Sequence, residues 1–138
     1  MIKPIIDTGA FVALLSPKDQ YHEWAKGVFS KLKPPFYTSE PVITEVCYLL
    51  PGTQQIVAFL EKIKAGIILI EFSLQENISA VQILMDRYQD QDIEMADATI
   101  IRMSELLDDC HVYTTDRTDF SFYRRFGRAV IPHTAPVR

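Results

Sequence analysis

The 138-residue sequence predicts an α/β fold with a mostly parallel sheet covered by helices on both faces. Two observations carry this. Short apolar runs such as "IKPIID", "FYTS", "IILIEF" and "HVYTT" alternate with longer stretches whose apolar residues recur at helical spacing. Strands and helices in alternation imply parallel pairing through right-handed crossovers. In addition, no internal repeat, low-complexity tract or long linker breaks the pattern, so residues 1–138 are expected to form a single domain.

In order, "IKPIID" reads as a strand and Ala10 to Leu15 as a helical turn or two. "SPKD" offers Ser16 as a cap, Pro17 at the first helical position and Asp19 three residues after the cap. Tyr21, Trp24, Ala25, Val28, Phe29 and Leu32 follow at helical spacing, which predicts a helix running to Leu32. "FYTS" is a strand whose Ser39 caps the helix of "EPVITEVCYLL", and Pro51–Gly52 stops that helix. Residues 54–65 form the next helix, closed by Gly66. "IILIEF" has the β-branched character of a strand buried on both faces. "SLQE" is a capping box, Ser73 answered by Glu76, opening a helix that ends near Tyr88. "MADATIIRMSELLDDC" is a further helix, "HVYTT" a strand, and "AVIP" a last strand.

The composition, 48% hydrophobic and 23% charged, is that of an ordinary globular chain. No apolar run reaches the ~20 residues of a membrane span, and "MIKPIIDTGA" lacks the apolar core of a signal peptide, so a cytoplasmic protein is expected. Cys47 and Cys110 read as reduced core thiols. The net charge of −4 argues against a broad basic nucleic-acid face. Its distribution is uneven: residues 86–97 hold five acids against Arg87, and residues 117–138 hold five arginines against Asp119.

The informative acids are those in costly places. Asp7 ends an apolar strand. Asp97 shares a helical stripe with Ile100, Ile101 and Ser104. Glu45 borders the stripe of Val42, Val46, Leu49 and Leu50. Asp116 follows the strand "HVYTT", with Asp119 three residues on. Each has an ordinary explanation: a helix cap, a first-turn acid, a margin residue, a turn former. Together they cannot cluster uncompensated, because close like charges raise one another's pKa. A hard divalent cation bound by oxygen ligands resolves the conflict.

The stretches "IIDTGAFVALL", "SEPVITEVCYLL", "MADATIIRMSELL" and "VYTTDRTDF", in this order, resemble the PIN-domain nucleases, and among them the small VapC-type toxins. The resemblance covers essentially the whole chain. It implies a three-layer α/β/α sandwich and Mg²⁺- or Mn²⁺-dependent hydrolysis of RNA, leaving a 5′-phosphate and a 3′-hydroxyl. Carried over by position, it assigns Asp7, Glu45, Asp97 and Asp116 as the metal-binding catalytic acids. Thr8 and Thr115 match hydroxyls that steady the cluster, and Asp119 and Asp92 are supporting acids. Glu94 has no place in the motif and reads as a surface residue. Arg117, Arg124 and Arg125 are candidate RNA contacts, or else partners of the acidic surface or of an antitoxin. The resemblance also implies a homodimer and an antitoxin protein, and the helix with Tyr21, Trp24, Val28 and Phe29 supplies either such a contact or core. The alternative is a catalytically silent PIN-like module that binds RNA or protein. Nucleotide hydrolysis and serine–histidine chemistry are disfavoured: no Walker loop and no Gly-x-Ser-x-Gly occurs.

Overall fold

The computed structural model describes residues 1–137; Arg138, the last cation of the basic tail, lies outside them. Five parallel strands form the central sheet: β1 (Lys3–Ile6), β2 (Phe36–Thr38), β3 (Ile68–Ile70), β4 (Cys110–Tyr113) and β7 (His133–Thr134), in the order β3-β2-β1-β4-β7. The chain builds outward from β1 to β3, then returns to the other side of β1 as β4. The switch in direction therefore falls between β1 and β4, where Ile6 pairs with Tyr113. Ligand sites of open parallel sheets lie beyond the carboxyl ends of the strands at such a switch.

The helices are α1 (Thr8–Leu15), α2 (His22–Ser30), α3 (Glu40–Leu49), α4 (Thr53–Lys64), α5 (Ile78–Arg87), α6 (Met95–Leu106) and α7 (Arg117–Phe122). Ile5, Ile6 and Val112 of the sheet are fully buried against Val42 and Val46 of α3 and Ile100 and Ile101 of α6. A small hairpin, β5 (Arg124–Arg125) with β6 (Ala129–Val130), stands apart from the main sheet. Among the described residues no helix is long and apolar enough to cross a membrane, and both cysteines are free thiols.

Several boundaries differ from expectation. The helix predicted from Ser16 begins at His22, because Ser16 ends α1 and the Asp19 carboxylate folds onto the Tyr21 N–H (2.8 Å) as a turn. The apolar residues of α2 serve the core: Phe29 packs on Phe11 and Phe36, and Trp24 joins the same cluster. Ser73 does accept the Glu76 N–H (3.2 Å), yet the regular helix starts at Ile78. Ser39 stands at the N-terminus of α3, but its hydroxyl meets Thr99 Oγ1 (2.7 Å) instead of capping. The "IILIEF" strand shortens to Ile68–Ile70 and, as the sheet edge, buries only Ile68. "AVIP" enters the hairpin, and the edge beside β4 is taken by the unpredicted β7. Gly66 closes α4 with φ of +82°, a left-handed conformation suited to glycine.

Candidate active site

β1 delivers Asp7 to the carboxyl end of the sheet, where its extended backbone makes it the N-cap of α1. Both carboxylate oxygens are held. Oδ1 accepts the Thr8 N–H (2.8 Å) and Oδ2 accepts the Thr114 hydroxyl (2.8 Å). The same Thr114 oxygen accepts the Asp116 N–H (3.0 Å), so a single hydroxyl joins the acids at the ends of two neighbouring strands. Asp116 caps α7, its Oδ1 accepting the Asp119 N–H (3.0 Å). Asp97, in the first turn of α6, accepts the Glu94 N–H (3.2 Å) and the Tyr123 hydroxyl (3.3 Å) through Oδ2. Glu45 is half-buried on α3, on which Val42 and Val46 are fully buried; Leu49, the stripe residue expected beside Glu45, turns outward.

The charges of these groups act on one another. Burial pushes the Asp7 carboxyl up from the usual 3.8 to about 6; its two hydrogen bonds oppose the shift, while the charges of Glu45 and Asp116 add to it. Asp97 is raised to about 7, first by burial and then by the charge of Asp7. Asp119 is also raised to about 7, by burial and by its contact with the Asp116 carboxyl, with Asp97 and Asp92 adding to the rise. Asp7, Glu45, Asp97, Asp116 and Asp119 thus share one electrostatic site. Asp92 is exposed, in a left-handed turn (φ 52°), and contributes from the rim. Glu94 is exposed as expected, but its backbone N–H anchors Asp97.

Two assignments shift. The hydroxyl that steadies the cluster is that of Thr114, and Thr8 takes part through its backbone N–H, its own Oγ1 being buried without a partner. Strand alternation carries the signal: Cys110, Val112 and Thr114 form the buried row of this strand, while Thr115 is out of step with it. Thr115 has a different neighbour, Gly9, where a Cβ would come within 1.8 Å of the Thr115 Oγ1. Only a residue without a Cβ permits that close approach in the first turn of α1. Tyr123, fully buried and bonded to Asp97, gave no signal beyond its apolar setting.

The arginines separate. Arg117 is exposed beside Asp116 and lines a cleft of 380 Å³ with it. Arg124 donates to the Ser121 and Tyr123 carbonyls (both 2.9 Å). Arg125 donates to the Ser104 carbonyl and approaches Cys110 Sγ (4.0 Å), at the opposite end of β4 from the acids. The structure thus keeps Arg125 apart from the site.

The PIN-domain family description matches residues 5–125, a span holding every acid of the cluster. The chain belongs to the PIN-domain family. No curated protein sequence gives a match. Among solved structures, this PIN domain is similar to VapC20 of Mycobacterium tuberculosis, a toxin that cleaves the sarcin–ricin loop. The two share 21% identity with a TM-score of 0.76, over 84% of this chain and 92% of that one. At that identity the likeness establishes the fold, the helix-flanked parallel sheet described above.

Among the described residues, no three His, Cys, Asp or Glu side chains stand so as to enclose an ion in their present positions. The donor set nevertheless fits a hard cation. It is all carboxylate oxygen, drawn from four elements of this PIN domain, and burial followed by the charge of neighbouring carboxylates raises two of its members above the usual carboxylate range.

Proposed function

We propose that the chain is a Mg²⁺- or Mn²⁺-dependent ribonuclease that hydrolyses RNA phosphodiester bonds. One observation carries this: Asp7 and Asp97, from different elements, share a site with Glu45 and Asp116 in which burial and mutual repulsion push their carboxyls up to about 6 and about 7. Neither carboxyl has a basic side chain as partner; each takes hydrogen bonds only from backbone N–H groups and hydroxyls. Asp7, Glu45, Asp97 and Asp116 would hold the ion. When bound, such an ion acts as a Lewis acid on the phosphate and lowers the pKa of water.

The protein's own contribution is orientation. The Thr114 hydroxyl and Thr8 N–H fix both oxygens of Asp7, and Tyr123 with the Glu94 N–H fixes one of Asp97. Asp119, with its carboxyl near 7, can hold or release a proton at the rim under neutral conditions. Products with a 5′-phosphate and a 3′-hydroxyl follow from the family reading. The likeness to VapC20 supports a toxin role with a cognate antitoxin, in the cytoplasm. The exposed Tyr48, Leu49, Val57 and Leu60 of α3 and α4 support a protein-covered face, either for that antitoxin or for the second copy of a homodimer.

The test is cleavage of a panel of structured and unstructured RNAs with Mn²⁺, comparing the wild type with a folded Asp97→Asn variant and a chelator control. Cleavage is expected to require both the metal and Asp97. Cleavage that survives Asp97→Asn would sink the proposal, and so would a wild type that binds metal but cuts no RNA.

A further inference from the structure

One cation at the rim of the acid cluster is left over. Arg117, the first residue of α7, is exposed, and among the described residues no carboxylate lies within ion-pair distance of it. Three other arginines are engaged elsewhere: Arg102 with Glu105, Arg124 and Arg125 with backbone carbonyls. An exposed, unengaged guanidinium beside a group of acids gains nothing structural from its place, so its surroundings matter.

Arg117 lines two clefts at once. The first, of 380 Å³, is formed by Tyr21, Thr115, Asp116, Arg117, Thr118 and Pro136, and so opens directly beside one of the acids. The second, of 400 Å³, shares Arg117 with Phe120, Val130, His133 and Thr134 along the β7 edge. Each falls in the range of small-ligand pockets, about 300–1,000 Å³. Tyr21 is the one aromatic side chain of the first cleft, and its backbone is pinned by the Asp19 carboxylate (2.8 Å). The first cleft therefore joins a flat ring, two threonine hydroxyls and a guanidinium fork. Those groups match a base, a sugar and a phosphate.

We propose that the cleft between Tyr21 and Arg117 is a nucleotide subsite flanking the bond to be cut. Arg117 grips the phosphate between the two clefts, and Tyr21 stacks on the base in the first. This rests on the ribonuclease reading and gives Tyr21 and Arg117, both outside the acid cluster, a place on the RNA strand. An A-form duplex keeps its base faces stacked inside and presents mainly phosphates and 2′-hydroxyls, so it offers nothing for Tyr21 to stack on.

The experiment is binding of a fluorescein-labelled six-nucleotide RNA to the full chain carrying Asp97→Asn, alone or combined with Arg117→Ala, Arg117→Lys, Tyr21→Ala or Tyr21→Phe. Arg117→Ala is expected to weaken binding about tenfold and to flatten the dependence of log Kd on log salt by about 0.7, the share of one phosphate contact on a single strand. Arg117→Lys should keep that slope. Tyr21→Ala should weaken binding by about 5- to 150-fold, as loss of one stacked base does, while Tyr21→Phe retains affinity. Affinity and salt slope unchanged by Arg117→Ala would overturn the proposal. So would a Tyr21→Ala variant that binds like its parent. Separately, wild type and Asp97→Asn are assayed with Mn²⁺ on bis(p-nitrophenyl) phosphate, which has no base or sugar. A wild type inert there and on RNA counts against the ribonuclease reading, while the binding series still decides the subsite.

Discussion

The two ends of one parallel sheet treat charge in opposite ways. At the amino end, Lys3 lies over the Tyr37 ring (5.7 Å), the N-terminal ammonium approaches Asp109 (4.0 Å), and Arg125 reaches the Ser104 carbonyl. Each of these three cations meets an opposite charge, a π face or a carbonyl dipole. At the carboxyl end, Asp7, Asp97 and Asp116 take hydrogen bonds from backbone N–H groups, a threonine and a tyrosine, and from no basic side chain. The same strands and connections can therefore satisfy charge locally. Like charges gathered at one end are not a by-product of the topology; they are a strained arrangement of the kind that marks functional sites.

The comparison can be broken most forcefully at the carboxyl end. Asp97→Asn should lower RNA cleavage more than about a hundredfold, since even changes behind a metal ligand lose 10–100-fold; single-turnover assays with Mn²⁺ measure this. Next comes stability without metal. The Asp7 shift from 3.8 to about 6 corresponds to a destabilisation of about 3 kcal/mol once the group ionises. The sign follows from proton binding: between about pH 4 and pH 7 the folded state holds more protons than the unfolded state, so stability falls as pH rises through that window. Asp7→Asn removes this penalty but keeps one of the two accepting oxygens. In urea titrations with chelator it should be about 1–2 kcal/mol more stable than wild type at pH 8. That gap should shrink as the pH falls toward 4.

Gly9→Ala places its Cβ 3.1 Å from Thr115 Cβ as well as against Oγ1, so overpacking should lower stability by about 1–3 kcal/mol. Thermal melts of this variant and of the double variant with Thr115→Ala should show partial recovery in the latter. At the amino end, Arg125→Ala should lose about 1–2 kcal/mol in urea titrations through the Ser104 carbonyl, with RNA cleavage unaltered. A fall in cleavage there would erase the distinction between the two ends. The smallest effect is that of Tyr123→Phe. Its hydroxyl bond holds the Asp97 pKa down, so removing it should move the acid limb of the cleavage pH profile upward by a few tenths of a unit.

Much of this architecture was legible from local pattern. Alternating strands and helices marked the parallel sheet, the apolar stripes of α3 and α6 marked their buried faces, Asp7, Glu45 and Asp97 stood out against apolar runs, and Asp116 stood out by its place after a strand. Helix starts were less legible. The Ser16–Asp19 and Ser73–Glu76 signals serve turns as readily as caps, and packing against the core selected the later starts at His22 and Ile78.

What the sequence determined alone was therefore which residues are apolar at which period and which acids interrupt them, because side-chain direction follows from 3.6- and 2-residue repeats. Only the tertiary structure decided the partners. Strand order set β4 beside β1, so that Thr114 rather than Thr115 bridges Asp7 and Asp116. It also turned Arg125 away from the acids and left Arg117 among them. Contacts between residues 107 positions apart depend on how elements stack, and no local period encodes that.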